Sequence, residues 1–167
     1  NFFDDVGRIY ESHTIVAAFG EPLLFRDIYT YDAIGDNTLI ESYYVENGVE
    51  TLTNVYEMKY MDHLLTSEVE IVFDGVEFIP QTRVTTEYND VNLPATVENY
   101  EWSVVDTNWV NTLSTLFEYD DQQRLVVLET TKHFEGVEEE RYRFEYDYIE
   151  GEFLQLETSY FWGHQEN

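Results

Sequence analysis

The chain has 167 residues, a net charge of −27, 43% hydrophobic and 17% aromatic residues, and no cysteine. That length suits one domain with a core, and the hydrophobic share excludes a disordered chain. Eight basic residues against 35 acidic ones exclude a nucleic-acid or anionic-lipid binder, because both need cations against phosphate; the missing cysteine excludes disulfides, thiolate metal sites and a cysteine nucleophile.

In chain order, apolar and polar residues alternate with period two, the signature of half-buried strands. Val76, Phe78, Val84 and Tyr88 share one parity while Glu77, Arg83 and Glu87 share the other. The pattern predicts eleven strands at 8–18, 23–31, 38–46, 49–60, 64–73, 76–88, 93–105, 109–119, 124–134, 137–146 and 152–162. No segment carries a helical stripe. Pro80 and Pro94 fall inside these strands, where a missing donor points to an edge or a bulge. In the last third Leu125 and Val127 oppose Val126 and Leu128, which predicts burial on both faces there.

Two families of turns separate the strands. Phe19-Gly20-Glu21-Pro22, Glu46-Asn47-Gly48-Val49, Phe73-Asp74-Gly75-Val76, Val105-Asp106-Thr107-Asn108 and Phe134-Glu135-Gly136-Val137 form one. Asn-Gly and Asp-Gly are strong signals for two-residue hairpins. The other family joins an aromatic residue to an acidic turn, best seen at Phe117-Glu118-Tyr119-Asp120-Asp121-Gln122-Gln123-Arg124-Leu125. Its anchors Phe3, Tyr31, Tyr60, Tyr88, Tyr119 and Tyr146 are separated by 28, 29, 28, 31 and 27 residues. Near-regular spacing marks a repeat architecture. The expected fold is therefore all-β: one domain over 1–167, an antiparallel up-and-down meander of about eleven long strands. An open curved sheet or half-barrel and a closed barrel both satisfy the alternation.

Tyr119-Asp120-Asp121-Gln122-Gln123-Arg124-Leu125 and Tyr31-Asp32-Ala33-Ile34-Gly35 resemble the tyrosine-aspartate turn of YD-repeat proteins. The chain is similar to the secreted hairpin-repeat proteins and lipoproteins common in Bacteroidota. The resemblance implies an exported hairpin array used as a scaffold or surface. It carries no catalytic residues. An export signal or a lipidated residue upstream of Asn1 fits that expectation, as does a location outside the cell or on the outer-membrane surface. No run approaches the roughly 18 apolar residues of a spanning helix.

Three constellations are candidate sites. Asp32, Asp36, Asp120 and Asp121 sit in acidic turns on one rim, where carboxylates could hold calcium; ordinary turn chemistry, with Asp bonding its own backbone, explains them equally. Tyr100, Trp102, Trp109, Tyr160 and Trp162 could form a platform for a protein partner or a glycan, or could be cross-strand packing. His13, His63, His133 and His164 lack metal-ligand spacing, and no nucleophile elbow is present. The expected function is a non-enzymatic structural or protein-binding module of the bacterial cell surface, the alternative a carbohydrate- or small-ligand-binding β module.

Overall fold

The computed structural model describes residues 1–16, 22–149 and 153–163. All regular structure there is β. The twelve strands are β1 (Phe2–Phe3), β2 (Ile9–Val16), β3 (Leu23–Tyr31), β4 (Asn37–Glu46), β5 (Val49–Met61), β6 (Leu64–Phe73), β7 (Phe78–Tyr88), β8 (Pro94–Ser103), β9 (Asn108–Tyr119), β10 (Leu125–Phe134), β11 (Val137–Ile149) and β12 (Phe153–Gly163). Their hydrogen-bonding order is the sequence order, and among the described residues β1 and β12 are not hydrogen-bonded neighbours. Of the two topologies left open by the alternation, the open sheet is the one adopted. Among the described residues no helix is long and apolar enough to cross a membrane. The chain forms two compact units, Asn1–Thr82 and Arg83–Asn167.

Ten expected strands lie within two residues of the observed limits among the described residues. The eleventh, β11, runs three residues further, to Ile149. The short β1 is an addition, made when Phe2 pairs with Glu11 and Phe3 with Ile9. Tyr146 and Asp147 do not form a turn. They lie inside β11, opposite Glu157 and Leu156. Pro94 opens β8, where its missing N–H is best tolerated. Pro80 is third in β7, which is not an edge strand. The turn at Phe19-Gly20-Glu21 lies outside the described residues.

Turn chemistry explains where the strands stop. Four loops share one geometry: Asp4–Arg8, Asp32–Asp36, Asn89–Leu93 and Asp120–Arg124. In each, the first residue's N–H donates to the fifth residue's carbonyl at 2.8–2.9 Å, and the fourth residue's N–H donates to the first carbonyl at 2.9–3.3 Å. The Asp or Asn Oδ1 then accepts from the third and fifth N–H groups at 2.8–3.1 Å. The fourth residue must take positive φ, and it is Gly7 (86°), Gly35 (103°), Asn92 (62°) or Gln123 (63°). The Asp or Asn side chain thus replaces backbone partners that a tight reversal leaves unmet.

A second class has two residues, both at positive φ: Asn47-Gly48, Asp62-His63 and Glu135-Gly136. These are the tight hairpin loops that suit strand twist. The Tyr60 turn therefore belongs to this class and not with its aromatic-acidic namesakes. Asp74-Gly75 does not form such a loop. Its reversal takes four residues, Asp74 Oδ1 accepts from Val76 and Glu77 N–H at 2.8 and 2.9 Å, and β7 begins at Phe78.

Burial is thin. Among the described residues only Val127 (7% exposed) and Ser12 (8%) are buried, and no side chain is completely so. Leu125, Val126 and Leu128 are half-buried, so the expected burial on both faces is confined to Val127. In neither unit does a described helix or second sheet cover a face. Stability must come from ladder hydrogen bonds and half-buried cross-strand pairs, such as Phe25–Tyr44 with ring centroids 5.8 Å apart.

Polar rows replace apolar packing in the middle of both units. In the first, Asp27 accepts from Ser12 Oγ at 3.1 Å and from Ser42 Oγ at 2.7 Å. Two strands further on, Glu70 Oε1 accepts from Asn54 Nδ2 and Tyr56 OH at 3.0 and 3.1 Å. In the second unit Asn111 Nδ2 donates to Glu98 Oε1 at 3.3 Å, while Ser114 Oγ bonds His133 Nε2 at 3.2 Å.

The left-handed positions generate a prediction. Gln123→Gly relieves a strain of about 1–2 kcal/mol against about 0.5–1 kcal/mol of added chain entropy. It should raise stability by about 0.5–1 kcal/mol in denaturant unfolding, while Gly35→Ala should lower it by about 1 kcal/mol. Equal effects of the two substitutions would contradict the shared turn geometry.

Candidate functional site

The acidic rim is built from turns. In the first unit Arg8 Nε donates to Asp4 Oδ2 at 2.7 Å, its guanidinium lies 4.8 Å from the Tyr31 ring centroid, and Tyr31 OH donates to the Ile9 carbonyl at 2.8 Å. The second unit repeats the device. Arg124 Nε donates to Asp120 Oδ2 at 2.7 Å, the guanidinium lies 4.6 Å from Tyr148, and Tyr148 OH donates to the Leu125 carbonyl at 2.8 Å. Each clamp ties a turn to the strand two further along. The register assigns Tyr148, not Tyr146, to the role of Tyr31.

Turn contacts engage three of the four carboxylates proposed for calcium, Asp32, Asp36 and Asp120. Asp32 Oδ1 accepts from the N–H groups of Ile34, Gly35 and Asp36. Burial pushes the Asp32 pKa up, but the backbone donors outweigh it and hold it below the ordinary value. Asp120 is lowered first by Arg124's side chain, then by backbone N–H groups. Asp36 Oδ1 accepts from His63 Nδ1 at 2.8 Å, joining two turns of the first unit, while its Oδ2 is buried and unpartnered. Asp121 is exposed. Asp32 and Asp36 share one turn of the first unit, Asp120 and Asp121 one turn of the second. Among the described residues no group of three or more His, Asp or Glu is placed to hold a metal ion.

The five aromatic candidates fall into two groups of the second unit. Trp102 on β8 pairs directly with Trp109 on β9, edge to face at 5.2 Å and 73°. Tyr100 lies two residues before Trp102 on the same face. Arg83 completes this group, 4.3 Å from the Tyr100 centroid and 5.0 Å from Trp109. Tyr100 OH donates to Glu98 Oε2 at 2.6 Å. Burial first, then that hydrogen bond and the Glu98 charge, raises the phenol's pKa. Tyr160 and Trp162 form the other group, stacked on β12 at 5.8 Å opposite Arg143 and Arg141. Among the described residues no ring contact joins the two groups.

Beside Trp102 lies an open hollow of about 800 Å³, bordered by Glu101, Ser103, Asp106, His133 and Phe134. His133 bonds Ser114 there, two parts of an acyl-transfer constellation. Among the described residues no acid orients the other imidazole nitrogen, and Ser114 Oγ is shared with Asn111. The pair acts as a rung of the polar row.

Comparison with known proteins follows this geometry only as far as the fold. No family model matches the chain. No curated protein matches it. Among solved structures it is similar to a protein of unknown function from Bacteroides fragilis, at 11% identity over 80% of this chain and 90% of that one, with a TM-score of 0.50. It is also similar to DUF3836 family proteins from Parabacteroides distasonis (17% identity, 65% and 87% covered, TM-score 0.38) and Bacteroides vulgatus (14% identity, 65% and 98%, TM-score 0.40).

Sequence reading missed the Arg clamps, because a tyrosine 23 or 24 residues after its arginine is visible only through pairing. It also missed Arg83, which sits in a strand like any alternating polar residue.

Two predictions follow from these contacts. Tyr148→Phe keeps the ring over Arg124 and loses the bond to Leu125, so it should cost about 1 kcal/mol in unfolding free energy. The His63–Asp36 contact sets a pH dependence. Asp36's hydrogen bond and charge raise the His63 pKa above its ordinary 6.5. The contribution is therefore fully present below 6.5 and is lost as pH rises through the folded-state value. His63→Gln should lower the melting temperature in mildly acidic buffer and leave it unchanged in alkaline buffer. A deficit that grows with pH would contradict the assignment.

Proposed function

We propose that this chain is a non-enzymatic structural or protein-binding module exported to the bacterial cell surface, a YD-like hairpin array. One observation carries the reading. The third position of the five-residue turn holds Val6, Ile34 and Val91, exposed at 74%, 67% and 51%. The turn does not require an apolar residue there, since the equivalent Gln122 is polar and exposed. Its geometry needs only Asp or Asn at the first position and positive φ at the fourth. In each unit, aliphatic tips beside acidic turn residues are expensive to solvate and suited to contact with another protein. The acidic composition and the resemblance to secreted hairpin repeats support export.

The test separates contact from folding. Val6→Ser with Ile34→Ser should change stability by no more than about 0.5 kcal/mol per site. The same variant should lose proteins recovered with the wild type after cross-linking in native envelopes. Identical recovery from both would refute a role for the tips.

A second reading is a carbohydrate- or small-ligand-binding module. The hollow beside Trp102 supports it, as an aromatic wall bordered by Glu101, Asp106 and His133. Glycan binding that disappears in Trp102→Ala would favour this reading over the first.

A further inference from the structure

The chain has six arginines among 35 acidic residues. Arg8, Arg26, Arg124, Arg141 and Arg143 each pair with a carboxylate. Among the described residues Arg83 pairs with none. Its guanidinium instead lies against Tyr100 and Trp109, 4.3 and 5.0 Å from their centroids, and its Nε is buried without a hydrogen-bond partner.

That isolation is costly. An arginine's five donors are normally satisfied by water or a planar acid, and stacking on rings removes water from its faces. In so acidic a chain a carboxylate on a neighbouring strand would be the simplest remedy. The adjacent Glu98 is already committed to Tyr100 OH and Asn111 Nδ2. Two rings against the guanidinium restrict its movement and, among the described residues, leave its terminal N–H groups without a protein carboxylate. A fixed fork selects a planar two-oxygen anion, a carboxylate in particular.

The surroundings specify what carries that carboxylate. Trp102 stands edge to face against Trp109 and is half-buried, a surface suited to the C–H face of a pyranose ring. Asn111 lies opposite Tyr100 on the same face, and its Oδ1, which accepts a 3.4 Å bond from Ser114 Oγ, offers an acceptor for a ring hydroxyl.

We infer that Arg83, with Trp102, Trp109 and Tyr100, forms a binding site for a carboxylate-bearing sugar ring, a hexuronate. This goes beyond the protein-binding reading and narrows the carbohydrate reading. The overall negative charge repels such a ligand at long range. That field is screened beyond about 8 Å at physiological salt, and it leaves the contact with Arg83 as the attractive term.

The probes are trigalacturonic acid and its fully methyl-esterified form, which keeps the rings and removes the charge. Titration calorimetry on the wild type should show the acid bound at least tenfold more tightly than the ester. Arg83→Gln should abolish that preference, bringing acid and ester to the same affinity, and Arg83→Lys should keep only part of it, since an ammonium lacks the fork. Melting temperatures establish that the variants are folded, and the acid–ester comparison needs no variant. Equal affinity for acid and ester, or a preference that survives Arg83→Gln, overturns the acidic-sugar site and leaves the general carbohydrate reading standing. No saturable binding of either probe overturns both.

Discussion

The structure depends on a carboxylate or carboxamide folded back onto its own turn. Five residues reverse the chain because Asp4, Asp32, Asn89 or Asp120 accepts the third and fifth N–H groups. Without that acceptor, two donors at the sheet margin would compete for water and the strand ends would fray. With it, the pairing register is fixed at each margin, and a slip of one residue would invert every face. A sheet in which only Val127 and Ser12 are buried among the described residues cannot rely on a core to correct such a slip. Local turn chemistry therefore carries specificity that a packed interior supplies in most domains.

The same constraint explains why the chain can be so acidic. In a two-layer fold, acidic residues occupy the solvent face and the core excludes them. Here both faces of each unit are only half-buried, so carboxylates can sit in the rows themselves. Asp27 accepts from serines on both neighbouring strands, and Glu70 accepts from Asn54 and Tyr56. Charge repulsion is relieved locally by the few cations. Arg26 bridges Glu11 and Glu50, and Arg143 bridges Glu129 and Glu145. Three of the arginines, Arg26, Arg141 and Arg143, are each shared between two acids, so few cations relieve many carboxylates.

Strand limits and meander order were legible from the sequence because both rest on local signals. Alternation marked each strand, and Asn47-Gly48 and Glu135-Gly136 marked two tight reversals correctly. Asp74-Gly75 misled, since a dipeptide does not disclose whether both residues take positive φ. Only Gly75 does. Gln123 and Asn92 did not mislead: the aromatic-acidic pattern grouped the turns at Asn89 and Asp120 with those at Asp4 and Asp32, and they share the geometry of Gly7 and Gly35 without a glycine. The aromatic candidates were legible as residues but not as groups. Which of them meet depends on cross-strand register and on the bulge between Asn99 and Tyr100. No rule of spacing gives that register in advance.

Arg83 shows how an exception to a pattern becomes informative. The other five arginines make ion pairs, and two of them, Arg8 and Arg124, also lie over a tyrosine. In those clamps the ring holds the guanidinium and the acid neutralises it, so both requirements are met within the turn. Arg83 has the rings without the acid. The fold thus contains its own control for what a completed arginine looks like. The missing element at Arg83 has the shape and charge of a carboxylate, and the neighbouring Trp102 presents the surface on which the rest of a ring would lie.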